Sequence, residues 1–173
     1  MLQLSEMFQN RYILSLRTGT PIGQAIAPVI NPKNLKIEGW YATAKGEKEP
    51  MILPVSEVRD IIAKGIVVND HDAITPEEDL VRLQDVLAIR YELIGKRVES
   101  ETGDKLGKVQ EYAADSKTMF VKKLYLKQGL LGGISKDELI IDRTQIIDVT
   151  EDKIVVKEAT EKVDVKSPAP ATA

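Results

Sequence analysis

The chain has 173 residues, of which 43% are apolar and 29% charged, and its net charge is −3. This composition is typical of a soluble globular protein, and the length suits one medium domain or two small ones. It lacks a run of the roughly 18 apolar residues that a membrane helix needs. Because the chain has no cysteine, disulfides, thiol nucleophiles and thiolate metal sites are excluded. The start of the chain has Glu6 and no basic segment before an apolar core, so we expect no signal peptide and a cytoplasmic location.

The pattern of the first half predicts short β-strands separated by turn residues. The strand-like stretches are "RYILSLR" at 11–17, "GQAIAPVI" at 23–30, "LKIEGWYA" at 35–42, "PMILPVSEVRDI" at 50–61 and "GIVVN" at 65–69. By period two, Ile37 and Tyr41 share one face of the third strand, and Trp40 lies on the other. Pro54 cannot donate to a ladder, which indicates an edge position or a strand end.

Between the halves the period changes. "TPEEDLVRLQDVLAI" at 75–89 opens with Thr75, a proline and Glu78, which is the pattern of a capping box. Leu80, Leu83 and Leu87 recur at helical spacing. The sequence therefore predicts an amphipathic helix over 75–90 that lays its leucines on the neighbouring β-structure.

The second half returns to strands, and its order repeats that of the first. Its strand-like stretches are "GKRVESE" at 95–101, "GKVQEYAAD" at 107–115, "MFVKKLYLK" at 119–127, "ELIIDRTQIIDV" at 138–149 and "KIVVKE" at 153–158. The proline-rich tail "SPAPATA" at 167–173 is expected to be disordered.

A repeated hexapeptide indicates an internal duplication. "TGTPIG" at 18–23 returns as "TGDKLG" at 102–107, 84 positions later. At this shift Leu14 falls on Val98 and Trp40 on Leu124; after a four-residue insertion the shift is 88, and Leu53 falls on Ile141. Matched apolar positions with one insertion in a glycine-rich loop are what a duplicated module shows.

Both copies resemble the PRC-barrel domain, a small β-barrel named after the photosynthetic reaction centre H subunit and found also in a bacterial ribosome-maturation factor. The second copy carries the resemblance in "LIGKRVESETGDKLGKVQEYAAD" and "LIIDRTQIIDVTEDKIVV". The first matches less well, with Asn-Arg-Tyr at 10–12 against Ile-Gly-Lys at 94–96.

The resemblance implies a mainly β protein of two tandem small barrels joined by one amphipathic helix. The implied parts are a first barrel at 1–74, a linker helix at 75–90, a second barrel at 91–166 and a tail at 167–173. It also implies a prokaryotic, non-enzymatic adaptor that acts through protein contacts. The family offers no catalytic residue, cofactor site or metal site to carry over, so we expect none.

The turn glycines are the first candidate site residues. Gly19 and Gly103 fit hairpin turns that need positive φ. Gly23 and Gly107 fall inside the next strand, where glycine marks a bulge or sharp bend. The alternative, a phosphate-binding loop, lacks the following Lys-Ser/Thr of such loops.

The segment "NDHD" at 69–72 holds the only histidine, His71. Asp70 and Asp72 flank it and could supply metal ligands, but adjacent residues do not converge naturally on one ion. A nucleophile at Ser56 or Ser135 would need His71 as its base. We interpret the segment as a solvated turn and the chain as a protein without catalytic activity.

Lys122, Lys123 and Lys127, with Tyr125 between them, form the densest basic cluster. This pattern is the one feature reminiscent of an RNA-facing strand. The alternative is a solvated face balanced by acids, and basic and acidic residues nearly balance in both halves. RNA or ribosome binding is therefore the second hypothesis.

Leu130 and Leu131 lie in "QGLLGGIS" at 128–135, a loop that the first copy lacks. Apolar residues in a glycine-flanked loop often mark a contact site. The alternative is that the loop folds back onto the protein. We predict a protein-interaction module that binds a protein partner or itself, without membrane insertion.

Overall fold

The structure is a computed structural model, which describes residues 1–127 and 139–157. Within these ranges the chain forms two seven-stranded sheets, one short α-helix and several 3₁₀ turns. The predicted mainly β class is confirmed. In the described part of the chain, no helix is long and apolar enough to cross a membrane.

The first sheet is formed by residues 11–76. Its strands are β2 (Arg11–Ser15), β3 (Pro21–Asn31), β4 (Lys36–Ala44), β5 (Met51–Pro54), β6 (Val58–Ile62), β7 (Gly65–Val68) and β8 (Thr75–Pro76). Their order across the sheet is β6-β7-β2-β3-β4-β5-β8, and only β2 and β7 pair in parallel among these described strands. Alternate side chains such as Ile13 and Ile66 point inward and are fully buried.

The second sheet contains most of the second half. Its strands are β1 (Leu2–Leu4), β9 (Arg97–Ser100), β10 (Lys105–Asp115), β11 (Val121–Lys127), β12 (Leu139–Asp142), β13 (Ile146–Val149) and β14 (Lys153–Val156). The order is β12-β11-β10-β9-β14-β13, with β1 paired to the far end of β10. Within the described residues neither ladder closes on itself, so the two closed barrels expected from the sequence are not seen.

The predicted helix over 75–90 is wrong in extent, because only α1 (Gln84–Ile89) is α-helical. Thr75 and Pro76 pair with β5 as strand β8, and two 3₁₀ turns, Glu77–Asp79 and Val81–Leu83, separate β8 from α1. The extended backbone of Pro76 and the non-helical ψ of 65° at Leu80 prevent a continuous helix. The segment nevertheless buries Leu87 against the first sheet.

The long hairpins of the two sheets have the same register. In the first sheet Pro28 of β3 faces Trp40 of β4, and in the second Tyr112 of β10 faces Leu124 of β11. Both partners differ by 84 positions, and each ladder contains two bulges at matching places. From β5 and β12 onward the matching positions differ by 88, and a 3₁₀ turn follows each of these two strands.

A bulge in β4 changes the predicted faces of that strand. Period two places Trp40 opposite Ile37, yet both side chains are fully buried. Val29 and Ile30 are adjacent on β3, whereas their partners on β4, Gly39 and Ile37, are separated by Glu38. Glu38 is therefore a bulge residue, and it shifts the inward–outward alternation of β4 by one position. Trp40 therefore lies in the core, where its Nε1 donates a 2.7 Å hydrogen bond to the Phe8 carbonyl.

The alignment of the two halves from the sequence is wrong by one residue before the first turn, the turn that follows β2. The alignment places Leu14 on Val98, but the parallel ladders place Ser15 and Ser100 at matching positions, so the shift there is 85 residues. The turn after Ser15 holds one residue more than the turn after Ser100, which produces the difference. Leu14 consequently matches Glu99.

The two sheets share one hydrophobic core, in which buried residues of both halves form a single cluster. Where their hairpin turns meet, the Ile37 N–H donates to the Met119 carbonyl at 2.8 Å and the Val121 N–H donates to the Leu35 carbonyl at 2.9 Å. Leu35 matches Met119 and Ile37 matches Val121. The two bonds are therefore related by an approximate two-fold axis within one chain.

Each half places its first segment on the other sheet. Strand β1 precedes the first sheet but pairs with β10 of the second. Helix α1 precedes the second sheet, but its Leu87 packs against Val29 and Ile52 of the first. The predicted boundaries at residues 74 and 91 therefore separate the sheets only in part. The predicted tail at 167–173 lies outside the described residues.

Candidate interaction surfaces

The outward side of the first sheet carries a row of uncharged residues. Each residue of the row is the cross-strand partner of the next: Ile62 of β6, Gly65 of β7, Tyr12 of β2, Gln24 of β3 and Thr43 of β4. Tyr12 is 59% exposed and Ile62 37% exposed. An aromatic ring and an aliphatic chain are thus open to solvent on this side of the sheet.

Two leucines extend this apolar surface along the chain. Leu14 is half-buried next to Val67, and Leu16, just after β2, is 62% exposed. A shallow depression of about 540 Å³ lies beside Tyr12, which forms part of its wall. Clustered apolar residues on a surface are typical of a contact site. We name this surface the first face and define it as Tyr12, Leu14, Leu16, Ile62 and Val67.

The other end of the same side is covered by the protein itself. Leu80, Leu83 and Leu87, in and before α1, pack against Tyr41 and Ile52. This contact buries the apolar residues that β4 and β5 turn outward. Within the first face, Tyr12, Leu16 and Ile62 remain exposed.

The matching row on the second sheet is charged. Lys153 of β14, Arg97 of β9, Lys108 of β10 and Lys127 of β11 are paired in succession. Three of them, Arg97, Lys108 and Lys127, are exposed. We name these four residues the cationic row. Their matching positions in the first sheet are Gly65, Tyr12, Gln24 and Thr43.

One carboxylate contacts the cationic row. Glu99 Oε2 lies 2.7 Å from Lys153 Nζ, and the hydrogen bond from Lys153 lowers the pKa of the Glu99 carboxyl below its usual value. Within the described ranges Arg97, Lys108 and Lys127 form no ion pair. Arg97 also lies near Glu99 and contributes to the lowered pKa of its carboxyl.

Of the four residues predicted to face RNA, three lie on the outward side of β11 and one lies beside Phe120. Lys123, Tyr125 and Lys127 alternate with buried leucines and point outward from β11. Lys122 is the extra residue of a bulge, and its Nζ lies 5.9 Å from the centre of the Phe120 ring. Lys127 belongs to the cationic row.

The junction between the sheets holds further cations around Phe120. The Arg143 guanidinium carbon lies 4.8 Å from the Phe120 ring centre, and Lys36 Nζ lies 6.0 Å from it. Arg143 also donates to the carbonyls of Asn34, at 2.6 Å, and Val121, at 3.2 Å. A cleft of about 470 Å³ lies beside this side chain. Because Arg143 bonds to both halves, its contacts are those of a structural clamp.

The segment around His71 forms a turn after β7. His71 is exposed, and its Nδ1 lies 2.8 Å from Asp70 Oδ1. Asp70 also accepts hydrogen bonds from Arg17, at 2.7 Å, and Ser15, at 3.2 Å. The bond to His71, helped by Arg17 and Ser15, lowers the pKa of Asp70 to about 2. Within the described ranges there is no group of three His, Cys, Asp or Glu side chains able to hold a metal ion.

The remaining candidates from the sequence are placed as follows. Ser56 is exposed on the 3₁₀ turn after β5, and within the described residues no hydrogen bond joins it to His71. Ser135, Leu130 and Leu131 lie outside the described residues. The predicted partner contact at the two leucines stays a prediction.

The turn glycines have the conformations that their positions require. Gly19 has φ of +68° and Gly103 φ of +91°, both in the left-handed region. The ladders skip one residue immediately before Gly23 and Gly107. A Cβ at Gly23 would overlap the carbonyl oxygen of Thr43, so the strands approach closely there.

Neither the first face nor the cationic row as a whole was predicted from the sequence. Members of each surface lie on different strands, and only the strand register brings them together. A position-by-position comparison of the two halves could have indicated both surfaces. With the correct 85-residue shift, Tyr12 is matched by Arg97 and Leu14 by Glu99.

Comparison with known proteins bears on the second half of the chain. Residues 89–163 match the model of the PRC-barrel domain family. The matched stretch includes strands β9–β14, so the cationic row lies within it, whereas the first face lies outside it. No match was found among curated proteins.

Proposed function

We propose that the protein is a non-catalytic interaction module made of two copies of one β-structured unit, and that its first face docks a protein partner. The PRC-barrel domain at 89–163 supports a non-catalytic module. The shared register of the hairpins supports a second copy of that unit in the first half. The proposal rests most directly on the exposure of Tyr12, Leu16 and Ile62.

The fold does not require apolar residues at these positions. Leu14 and Leu16 match Glu99 and Glu101 of the second sheet, where the same backbone pairing is made with acidic residues: Glu99 is ion-paired with Lys153 and Glu101 is exposed. Each Å² of apolar surface left in water costs about 25 cal/mol relative to burial. A partner that covers the first face would recover that free energy.

The expected partner presents an apolar surface without a strong charge. The paired row through Tyr12 contains no charged side chain, so electrostatic attraction contributes little there. Tyr12 is the natural anchor, because an aromatic side chain offers a large contact area with few rotatable bonds. A second copy of the chain and a different protein both satisfy these conditions.

Affinity capture from native lysate with the tagged full chain tests the proposal. We expect a captured protein that survives ribonuclease treatment and is lost with the double variant Tyr12→Arg, Leu16→Glu, which installs the charges of the second sheet. Sedimentation velocity of the purified chain shows whether the partner is a second copy. Thermal unfolding should be nearly unchanged, because both side chains are exposed.

Val81→Glu is the matched control, since Val81 is 80% exposed and lies outside the first face. Capture and self-association should both be unaffected by it. The proposal is wrong if the double variant retains every interaction of the parent chain, or if Val81→Glu abolishes the same interactions.

The alternative is a ribosome- or RNA-associated assembly factor. It requires a surface that binds phosphate, and the cationic row of the second sheet is the observation that favours it. Loss of the captured proteins after ribonuclease treatment would support this alternative over direct protein docking.

A further inference from the structure

The cationic row is an unusual arrangement for a sheet surface. Its four side chains occupy successive paired positions on β14, β9, β10 and β11. Like charges directly opposite each other on neighbouring strands destabilise a sheet. The matching row of the first sheet has no charge, so the shared backbone pattern does not explain the row.

Protection of a sheet edge does not explain the row either. Lysines often guard exposed edge strands against pairing with another chain. Here β9, β10 and β14 are interior strands, so Arg97, Lys108 and Lys153 do not lie on an edge strand. Of the four cations in the row, only Lys153 forms an ion pair with an acid among the described residues. Arg97, Lys108 and Lys127 form no ion pair within the described ranges, although Arg97 lies near the Glu99 carboxylate.

We infer that the cationic row binds the phosphate backbone of a single-stranded nucleic acid. Four cations one strand apart span roughly 14 Å at the usual strand spacing. A stacked strand places one phosphate about every 3.4 Å, so the row covers about four nucleotides. This inference is independent of the first face, which lies on the other sheet.

An aromatic side chain beside the row favours a single strand over a duplex. Tyr125 is half-buried on the outward side of β11, two residues before Lys127. Proteins that bind single strands combine cations along the backbone with aromatic rings on which bases stack. A duplex hides the base faces, whereas a single strand can present one to Tyr125.

The test uses the full chain and a fluorescein-labelled oligouridylate of about 12 nucleotides, within the usual site size of such proteins. Fluorescence anisotropy should show saturable binding at low salt. With three to four phosphates neutralised, log affinity should fall against log salt with a slope of about −2 to −3. The variant Arg97→Gln, Lys108→Gln, Lys127→Gln should bind at least about tenfold more weakly, with a shallower slope.

A second triple variant controls for net charge. Lys33→Gln, Lys45→Gln, Lys64→Gln removes the same charge from exposed positions of the first half and should bind like the parent chain. The melting temperature of the row variant should be equal to that of the parent chain or higher, because facing like charges are removed. Loss of binding would then not result from unfolding.

Several results would overturn the inference. These are no saturable binding by the parent chain, an equal loss in both triple variants, or poly-glutamate competing as well as unlabelled oligouridylate. Co-sedimentation with vesicles of phosphatidylcholine and phosphatidylserine, without oligouridylate binding, would assign the row to a membrane surface and would also contradict it.

Discussion

The first and second sheets place their strands in the same order and register, but they differ in the side chains they turn outward. Inward positions stay apolar: Trp40 matches Leu124 and Ile66 matches Ile154, and all four are fully buried. At outward positions Tyr12 of the first sheet is matched by a cation of the second. The core constrains the inward residues, whereas the outward residues are free to differ.

The shared core makes the two sheets energetically dependent on each other. Buried residues of both halves belong to one cluster, and β1 and α1 each cross to the opposite sheet. A change deep in one sheet should therefore weaken the other. The outward faces, by contrast, should tolerate substitution independently.

Leu124→Ala should have the largest effect on stability, a loss of about 2–5 kcal/mol, because it leaves a cavity in the shared core. The chain has a single tryptophan, Trp40, so its fluorescence reports on the first sheet. Fluorescence and far-UV circular dichroism should give the same lowered midpoint in denaturant. Separate midpoints, with the fluorescence transition unchanged, would show that the halves unfold independently.

Gly65→Lys installs the residue that the second sheet has at the matching position, Lys153. A Cβ at Gly65 would overlap the carbonyl oxygen of Tyr12, so we expect a loss of about 3 kcal/mol from the displaced backbone. The reverse change, Lys153→Gly, should cost about 1 kcal/mol or less. Equal and small effects in chemical denaturation would mean that the two parallel strand pairs are alike in spacing.

Gly19→Val and Gly103→Val test whether the two first turns are equivalent. Both glycines have positive φ, and a Cβ at either position would have no neighbouring atom within 4 Å, so the cost is conformational, about 1–3 kcal/mol in each. Thermal melts of the two variants should show similar decreases. A melting curve unchanged by Gly103→Val would contradict the assigned turn conformation.

The matching positions Asp115 and Asn31 should make the stability of the two sheets respond differently to acid. The N-terminal ammonium group, 2.8 Å away, and backbone N–H groups of the turn lower the pKa of the Asp115 carboxyl far below its usual value. A lowered folded pKa means that the stabilisation is present above about pH 3.9, the unfolded value, and is lost as pH falls. Asp115→Asn should lower the melting temperature at neutral pH, with the difference shrinking below pH 4 or so. A difference independent of pH would contradict this.

Much of the local structure could be predicted from the residues. Alternating aliphatic residues indicated the strands, and Gly19 and Gly103 marked turns because only a residue without Cβ adopts positive φ without strain. The leucines before residue 90 were correctly expected to pack on β-structure, since Leu87 is buried against the first sheet. Such features depend on a few neighbouring residues.

Features that depend on register could not be predicted in the same way. A bulge at Glu38 moved Trp40 into the core, and one extra residue in the first turn shifted the alignment of Leu14. Pairing of Thr75 with β5 replaced the predicted start of a helix. The cationic row unites residues up to 56 positions apart, from Arg97 to Lys153, and only cross-strand pairing makes them neighbours.

The division of binding between the two sheets is tested most directly by measuring both interactions on both variants. The first-face variant, Tyr12→Arg with Leu16→Glu, should lose partner capture or self-association and keep oligouridylate binding. The row variant, Arg97→Gln with Lys108→Gln and Lys127→Gln, should show the opposite pattern. If either variant loses both interactions while still folded, or if the first-face variant keeps its protein interactions, the two sheets do not carry separate binding faces.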